Sequence, residues 1–395
     1  MKKFIAIFLV LACRLTSVQA QDDLTVYGII DLGLQYATVN QTRDHTVERN
    51  QFLGIASGVQ SGSRFGLRGT HEMGGGYETV FVLENGFDAG NGAAQQGGRL
   101  FGRQSTVGIK NNAIGQLDIG RQINFASNYF LPIDPFIEGF GQANIGASFG
   151  SANTVRYSNM LMLQAKATDA LTIGAGYSFA AEMTSIYAGN GSCVESSCTA
   201  SNQASQFQTN NNLRALTLGA KYSSGPLLLA VAYDQLWGPD NIPNGPPKPN
   251  PTAWLAGGAY DFRVIKISFA YGQSRNGTWN GQPVGAGTTP TSPLSDGSLG
   301  SGALFLAGAA ASSMMLGMTV PIGEASILAS VQRLQQQGDA VPSTLTGPQM
   351  VYSAAYLYNF SRRTNLYTYA SYGNNYAAVR AAQSTVVGVG IRHQF

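Results

Sequence analysis

The sequence predicts an all-β fold, an antiparallel transmembrane β-barrel of sixteen strands. Three observations support this prediction: segments in which apolar and polar residues alternate, connections that are short and long in turn, and a low content of charged residues. Alternation with a period of two gives a strand one apolar and one polar face. Short turns at one rim and long loops at the other are typical of outer-membrane barrels.

The composition agrees with this fold class. Charged residues make up 11% of the 395 residues, and 49 residues are glycine, whereas soluble domains average about 25% charged residues. The mean hydropathy of -0.03 is too low for a bundle of membrane helices. The formal net charge is only +3, and nothing in the composition points to nucleic acid as a partner.

The first 20 residues predict a secretory signal peptide, with lysines at the start, an apolar stretch from Phe4 to Ala12 and a cleavage site ending at Ala20. A lipoprotein site at Cys13 is the alternative, although Leu11 fits it poorly. Cleavage leaves residues 21–395 as one barrel domain. The signal peptide takes three of the 24 basic residues, so the mature chain carries 21 basic and 21 acidic residues.

Two cysteines remain after cleavage, Cys193 and Cys198, both within a long polar connection. In an exported protein this spacing favours a small loop disulfide. Two free thiols are the alternative. A metal site is not expected, because the stretch holds no histidine and no further cysteine.

The first strand and the last strand of the mature chain show the alternation clearly. In residues 24–36, an apolar face opposes a face that carries Asp31. Residues 387–395 alternate up to a final aromatic residue, Phe395. An apolar strand at the edge of a soluble sheet invites aggregation. In a closed barrel the same strand has a neighbour on each side.

The inner strands repeat this pattern. Residues 63–70 place Arg64 and Arg68 opposite an apolar face, and the strand at 77–88 places Glu84 on its more polar face. The same alternation recurs in residues 171–180, 213–222 and 264–272. A barrel of 16–18 strands leaves an aqueous channel. Charged and small polar residues on the inner face are inexpensive only where water reaches them, so the pattern predicts a water-filled lumen.

Three stretches depart from simple alternation. Residues 39–61 are polar and predict a loop. Residues 123–152 form a long, aromatic and glycine-rich connection, and a loop of this length in a compact domain is usually functional or disordered. Residues 303–318 are an almost continuous apolar run, which we interpret as the end of a loop running into a strand near 314–321. A buried helix is the alternative for this run.

Several segments together resemble the Gram-negative general porins of the trimeric, 16-stranded type, in the neisserial and burkholderial branch. They span the mature chain from the first strand to the last, and each alone would be a weak signal. These segments are Val26-Tyr-Gly-Ile-Ile-Asp31, Ser63-Arg-Phe-Gly-Leu-Arg-Gly69, Leu83-Glu-Asn-Gly-Phe87, Leu100-Phe-Gly-Arg-Gln104, Gly120-Arg-Gln122 and Ile391-Arg-His-Gln-Phe395.

The resemblance implies that the third loop, residues 123–152, folds into the barrel and narrows it. It also implies that arginines on the wall face acids on this loop across the pore. By position the constriction residues are Arg64, Arg121, Arg156, Asp134, Glu138 and Glu84. Further candidate lumen charges are Asp31, Arg68 and Lys110. Alternation alone places Arg121 on the outer face, with Leu117 and Ile119. Ordinary solvated wall arginines are the alternative reading of the cluster.

The function implied by the resemblance is passive diffusion of ions and small hydrophilic solutes across the outer membrane of a Gram-negative bacterium. The implied assembly is a homotrimer in contact with outer-membrane lipid and lipopolysaccharide, and no cofactor is implied. Three arginines against two loop acids favour anions over cations.

Other functions fit the sequence less well. The three histidines, His45, His71 and His393, lie too far apart in the predicted barrel to form one catalytic site, and no hydrolase motif occurs. A surface-binding barrel whose long loops hold a partner is a second possibility. A substrate-selective porin is a third, with Phe136 and Phe140 as candidate sugar contacts.

Overall fold

The computed structural model describes residues 23–43, 46–182, 184–188, 199–200, 212–238, 250–279, 302–337 and 347–395. The predicted signal peptide and the predicted disulfide between Cys193 and Cys198 lie outside the described residues. No helix among the described residues is long and apolar enough to cross a membrane.

The described residues form one sheet, antiparallel except where β9 meets β15, together with one short α-helix and the 3-10 turns Gly141–Ala143, Ile145–Ala147, Gly150–Ala152 and Tyr376–Ala378. The strands are β1 Asp23–Arg43, β2 Thr46–Ser57, β3 Arg64–Gly74, β4 Tyr77–Gly86, β5 Gln104–Asn111, β6 Gly115–Ile123, β7 Arg156–Lys166, β8 Leu171–Ser178, β9 Thr184–Ala188, β10 Thr199–Ala200, β11 Arg214–Ser224, β12 Leu227–Trp237, β13 Thr252–Asp261, β14 Lys266–Trp279, β15 Gly302–Ile322, β16 Ala325–Gln337, β17 Gln349–Asn359, β18 Thr364–Asn374 and β19 Gln383–Gln394. The helix is α1, Phe125–Phe130.

The sheet closes on itself, because the first strand pairs with the last. β1 lies antiparallel to β19, with Ile29 opposite Gln394 and Asn40 opposite Gln383. Closure removes the free edges that would otherwise expose unpaired backbone groups to lipid. It also gives the apolar strand β19 a partner on each side, β18 and β1.

The wall of the barrel has sixteen strand positions, as the sequence predicts. β2 and β3 occupy one position, because both pair with β1, one above the other. β9 and β10 form a small hairpin in the long connection between β8 and β11, and β9 also pairs with the start of β15. The other strands each pair with their neighbours in chain order.

The prediction of a loop over residues 39–61 is wrong for most of that range. β1 continues to Arg43, and β2 runs from Thr46 to Ser57 along it. Residues 40–51 are polar in the sequence except for Val47, which hides the period of two there, whereas Leu53 and Ile55 alternate on the outer face. The backbone ladder forms regardless of the side chains, because a hairpin satisfies its own N–H and C=O groups. Only residues 58–63 interrupt the strand.

The apolar run at 303–318 is strand throughout, since β15 covers Gly302–Ile322. The alternative of a buried helix is wrong, and the strand begins earlier than residue 314. The inner face of β15 is covered by protein, with Ala311 and Met315 fully buried. A strand that contacts protein on one face and lipid on the other is apolar on both faces, so its sequence shows a continuous apolar run.

The outer surface of the barrel is apolar. Large exposed side chains cover it on nearly every strand, including Leu34, Val107, Leu229 and Leu316. Pairs of aromatic rings sit beside the short turns, such as Tyr260 with Phe262 and Tyr358 with Phe360. Apolar bands bordered by aromatic rings are the lipid-facing surface of outer-membrane barrels.

Candidate functional site

One long loop enters the barrel interior. It connects the end of β6 to the start of β7, and residues 124–155 are hereafter called the inward loop. Its α1 helix begins at Asn124, whose side chain accepts a hydrogen bond from the N–H of Ser127 at 3.1 Å, which satisfies one free N–H of the first turn. Pro132 follows shortly after the helix and prevents its continuation.

The helix packs closely on the inner wall. Phe125, Tyr129 and Phe130 are fully buried. Two glycines on the facing strands make this approach possible. A Cβ added at Gly219 would lie 2.8 Å from Phe125 Cβ, and one at Gly174 would overlap the ring of Phe125. Contacts this short do not occur in proteins. The helix can therefore pack this closely against the wall only because both positions lack a side chain.

A polar network fixes the base of the inward loop to the wall. Asn124 Nδ2 donates to Asp234 Oδ1 at 3.0 Å, and the Tyr157 hydroxyl donates to the same oxygen at 3.3 Å. Trp279 Nε1 in turn donates to the Tyr157 hydroxyl at 3.0 Å. All four side chains are almost fully buried. A buried network of this kind is stabilising only while its members stay paired.

The far part of the loop is bound to the opposite wall. Gln332 Nε2 donates to the carbonyl oxygens of Ala143 and Asn144 at 2.8 and 2.9 Å, and Ser313 Oγ donates to Ser148 O at 2.6 Å. Gln332 lies on β16, across the lumen from β6 and β7, between which the loop begins and ends. The inward loop therefore crosses the interior and reduces its open cross-section.

Charged side chains gather on the wall beside the loop. Glu84 on β4 accepts from Arg103 Nε at 2.7 Å, and Arg64 Nη1 lies 3.9 Å from the same carboxylate oxygen. The Tyr27 hydroxyl donates to the second oxygen of Glu84 at 2.9 Å. Arg64 and Glu84, two of the residues that the sequence assigns to a constriction, therefore lie within 3.9 Å of each other. Arg103 was missed, although it lies within the segment Leu100–Gln104, because it precedes β5 and has no strand pattern to orient it.

Arg121 points inward, and the prediction from alternation is wrong. The register of β6 against β7 shifts between Gly120 and Gln122, and Gly120 has φ of 132°. Such a bulge reverses the facing of the residues that follow. Arg121 is 8% exposed, and its guanidinium donates to Gly102 O at 2.7 Å and to Ser158 Oγ at 2.9 Å.

Arg156 completes the group of wall arginines. It opens β7, is 6% exposed and donates to Thr154 O at 2.8 Å. It lies within electrostatic range of Arg64, Arg103 and Arg121. We call these four side chains the arginine cluster. Among the described residues, the ion pairs of this cluster all go to Glu84.

The two loop acids differ in their surroundings. The carboxylate of Asp134 accepts the backbone N–H groups of Phe136, Glu138 and Ile145 at 2.9 to 3.1 Å, so it shapes the loop from within. Burial raises the pKa of Asp134 to about 6, against the opposing effect of these donors. Glu138 has φ of 54°, and its Oε1 has no hydrogen-bond partner among the described residues.

The carboxyl group of Glu138 lies near both acidic and basic side chains. Burial and the nearby Asp134 raise the pKa of Glu138 well above its ordinary range, while Arg156, Arg103 and Arg64 oppose that shift. Its carboxyl is therefore the acid of the inward loop that faces the arginine cluster.

Of the other predicted lumen charges, Arg68 borders the cluster through Tyr27, whereas Asp31 and Lys110 have other partners. Asp31 is fully buried, and it accepts from the Tyr367 hydroxyl at 2.6 Å and from the N–H groups of Gln60 and Ser61. These hydrogen bonds fix the short segment between β2 and β3 to β1. Arg68 lies over the ring of Tyr27 at 5.4 Å. Lys110 pairs with Glu78 at 3.3 Å, near the short turns.

A closed barrel of sixteen strands, with an apolar outer belt and a charged interior crossed by a loop, defines a diffusion channel of the outer membrane. The chain belongs to the Gram-negative porin family, whose sequence model matches residues 7–378. The resemblance seen in the sequence is thus confirmed. Its site is the outer membrane, and its activity is passive diffusion through a water-filled channel.

Relatives and solved structures agree with this assignment. An outer membrane porin of Bordetella pertussis is 42% identical over 406 residues, covering 100% of both chains. Outer membrane porin protein 32 of Delftia acidovorans is 30% identical over 190 residues, covering 47% of this chain and 51% of the relative. These relatives are channel proteins rather than enzymes.

Two solved structures share the fold at low sequence identity. The anion-selective porin from Comamonas acidovorans superposes with a TM-score of 0.66 at 20% identity, covering 95% of this chain and 100% of that one. The OmpF porin of Salmonella typhi gives a TM-score of 0.59 at 15% identity, covering 94% and 97%.

Proposed function

We propose that the channel prefers anions and that the arginine cluster and Glu138 form its constriction. The observation that carries this proposal is the imbalance of charge where the inward loop meets the wall. Four guanidinium groups, on Arg64, Arg103, Arg121 and Arg156, lie near one another, and Glu84 and Glu138 are the carboxyl groups beside the first, second and fourth of them. Arg121 lies nearer to Arg99 and Glu182, which form an ion pair with each other. Asp134 adds little, because its oxygens accept hydrogen bonds from the loop backbone.

The excess of positive charge acts on every ion in the gap. Two unit charges 4 Å apart interact by about 1 kcal/mol in bulk water and by about 4 kcal/mol at an effective dielectric constant of 20. A narrowed lumen lies between these limits, so an anion gains and a cation loses several times the thermal energy. Guanidinium donors also replace part of the hydration shell of an anion. Several weak ion-binding sites, one after another along the pore, allow ions both to enter and to leave.

The mechanism is passive. Arginines on the wall and Glu138 on the inward loop set up a field across the gap, and polar solutes can align their dipoles with it. An apolar solute loses hydration there without compensation. The name of the porin from Comamonas acidovorans states anion selectivity for that protein. The shared fold makes it a useful reference for this chain.

Charge reversal tests the proposal. In planar bilayers with a salt gradient, the Arg103→Glu variant should shift the reversal potential toward cations relative to the wild type. The matched control is Arg362→Glu, which makes the same change beside a short turn at the barrel rim. Equal shifts in the two variants would remove Arg103 from the constriction.

A sugar-selective pore is the weaker candidate. Phe136 and Phe140 are each 1% exposed. The ring of Phe140 packs against those of Tyr367 and Tyr369 at 5.4 and 5.2 Å. These rings bind the inward loop to the wall and offer no face to a passing sugar.

We further propose that the mature chain, residues 21–395, assembles as a homotrimer. The trimer contacts lipopolysaccharide in the outer membrane. Within each chain, Cys193 and Cys198 form a disulfide. Among the structures with the same fold is a trimer form of OmpT from Vibrio cholerae, with a TM-score of 0.56 at 13% identity. Native mass spectrometry of protein purified from outer membranes should give three times the mass of residues 21–395, with the mass lowered by two hydrogens per chain.

A further inference from the structure

A groove runs across the outer surface of the barrel. Its floor is a row of three alanines on neighbouring strands, because Ala329 lies opposite Ala354 and Ala354 lies opposite Ala370. The row above holds Val331, Tyr352 and Tyr372, which face one another in the same order. Large side chains thus stand along one side of a floor of small ones. The groove has a volume of about 670 Å³ and continues past Leu316 and Met318.

The lining of the groove is almost entirely apolar and lies on the lipid-facing side. Tyr352 is 47% exposed and Leu316 is 57% exposed. In a bilayer, water molecules in this groove would lose hydrogen bonds, because the groove offers them no polar partners. An alkyl chain can occupy the groove, because the groove provides only apolar contacts.

One positive charge stands at the upper end of this surface. Arg333 is exposed on the outer face of β16, two residues beyond Val331. Its cross-strand neighbours are Met314 and Met350. None of the ion pairs between described residues includes Arg333. Its Nη2 donates to Gln335 Oε1 at 2.9 Å, which leaves other N–H groups of the guanidinium for a ligand.

The height of Arg333 on the strand places it at the boundary of the outer leaflet. β16 begins beside a short turn, which marks the periplasmic rim, and Arg333 is its ninth residue. A tilted strand needs about 9–11 residues to cross the membrane. An arginine on the lipid face costs about 2–4 kcal/mol at the bilayer midplane and about 0–1 kcal/mol near the interface. At this height the guanidinium meets lipid headgroups.

We propose that the groove and Arg333 form a binding site for lipopolysaccharide. One acyl chain lies along the alanine row, and a phosphate group of the lipid accepts hydrogen bonds from Arg333. Lipopolysaccharide is chosen because the charge matches a phosphate and because the long loops place this end of the strand in the outer leaflet. The inference rests on the proposed contact with lipopolysaccharide and names where it occurs.

Native mass spectrometry of the detergent-solubilised protein tests the site. The probes are purified rough lipopolysaccharide, the same lipid after removal of its phosphates, and phosphatidylglycerol. The Arg333→Gln variant should bind intact lipopolysaccharide about tenfold more weakly, as expected for the loss of one charge-assisted hydrogen bond. The Arg362→Gln control should bind like the wild type. Ala354→Trp, which fills the groove, should also weaken binding, with folding checked by heat-modified gel mobility.

Three results would overturn the site: equal affinity in Arg333→Gln and Arg362→Gln, unchanged affinity after dephosphorylation, or equally strong binding of phosphatidylglycerol. Failure of the site is distinguishable from failure of the wider proposal. If the wild type binds no lipopolysaccharide at all, the contact itself is refuted. If it binds and Arg333→Gln binds equally well, only the location is refuted. Anion selectivity should be the same in Arg333→Gln and in the wild type.

Discussion

Arg103 donates from Nε to Glu84 Oε1 at 2.7 Å and so joins the end of a loop to the barrel wall. Arg103 ends the connection between β4 and β5, whereas Glu84 lies within β4. The pair holds a guanidinium in the lumen next to Arg64, where like charges repel. The carboxylate neutralises one charge of the cluster and fixes the position of another.

Removal of this carboxylate should raise the preference for anions. In Glu84→Gln, the cluster keeps four positive charges and loses one negative charge, so the reversal potential in a salt gradient should move further toward the anion limit. Glu78→Gln is the matched control, because Glu78 pairs with Lys110 near the short turns. A shift toward cations in Glu84→Gln would contradict the proposed constriction.

Selectivity should depend on pH through Glu138. The pKa of this carboxyl is raised well above its ordinary range, so it is protonated at a higher pH than a solvated glutamate. As the pH falls through that raised pKa, the lumen loses a negative charge and anion preference increases. Reversal potentials recorded over a series of falling pH values should show this increase at a higher pH than the titration of a solvated glutamate, and Glu138→Gln should abolish it. An unchanged pH profile in Glu138→Gln would exclude Glu138 as its source.

The network at the base of the inward loop should control the stability of the open channel. Asp234→Leu removes the acceptor of the Tyr157 hydroxyl and one of the two acceptors of Asn124 Nδ2, which keeps Ser151 O at 2.8 Å. A buried polar group left unpaired costs about 1–3 kcal/mol. We expect broader conductance steps and closure at lower voltage in single-channel records. Asp234→Asn keeps the size and one acceptor oxygen and should behave closer to the wild type. Identical records for all three proteins would show that the loop is held elsewhere.

The contact between α1 and the wall should be intolerant of larger side chains. Gly219→Val places methyl groups against Phe125 and Tyr129, which a Cβ alone would approach to 2.8 Å. Overpacking of this kind costs about 1–3 kcal/mol. The heat-induced mobility change on gels should therefore occur at lower temperature. Ala220→Val, on the lipid-facing side of the same strand, is the control and should leave that temperature unchanged.

The barrel and its polar interior could be predicted from the sequence because period-two alternation reports the facing of each strand. The prediction failed where other forces decide the structure. The hairpin of β1 and β2 is polar around residues 40–51, where only its backbone ladder identifies it as strand, and its apolar residues Leu53 and Ile55 lie opposite Tyr36 and Leu34. β15 lost its period because the inward loop covers its inner face, a contact between residues such as Ser148 and Ser313 that are far apart in the chain.

The site was predictable in part for the same reason. Arg64 and Glu84 lie on regular strands, so their facing follows from the pattern. Arg121 follows a bulge at Gly120, so alternation alone could not give its facing. Arg103 lies outside any strand, and only its contact with Glu84 reveals its place. Asp134 could not be told from Glu138 in the sequence, because the difference lies in the backbone N–H groups around it.

The most direct test of the proposed anion preference is the reversal potential of the refolded wild-type channel in a planar bilayer, across an about tenfold gradient of potassium chloride. If the arginine cluster sets selectivity, chloride crosses faster than potassium and the dilute side becomes negative. A dilute side that becomes positive, or a potential of zero, would contradict an anion-preferring constriction at Arg64, Arg103, Arg121 and Arg156.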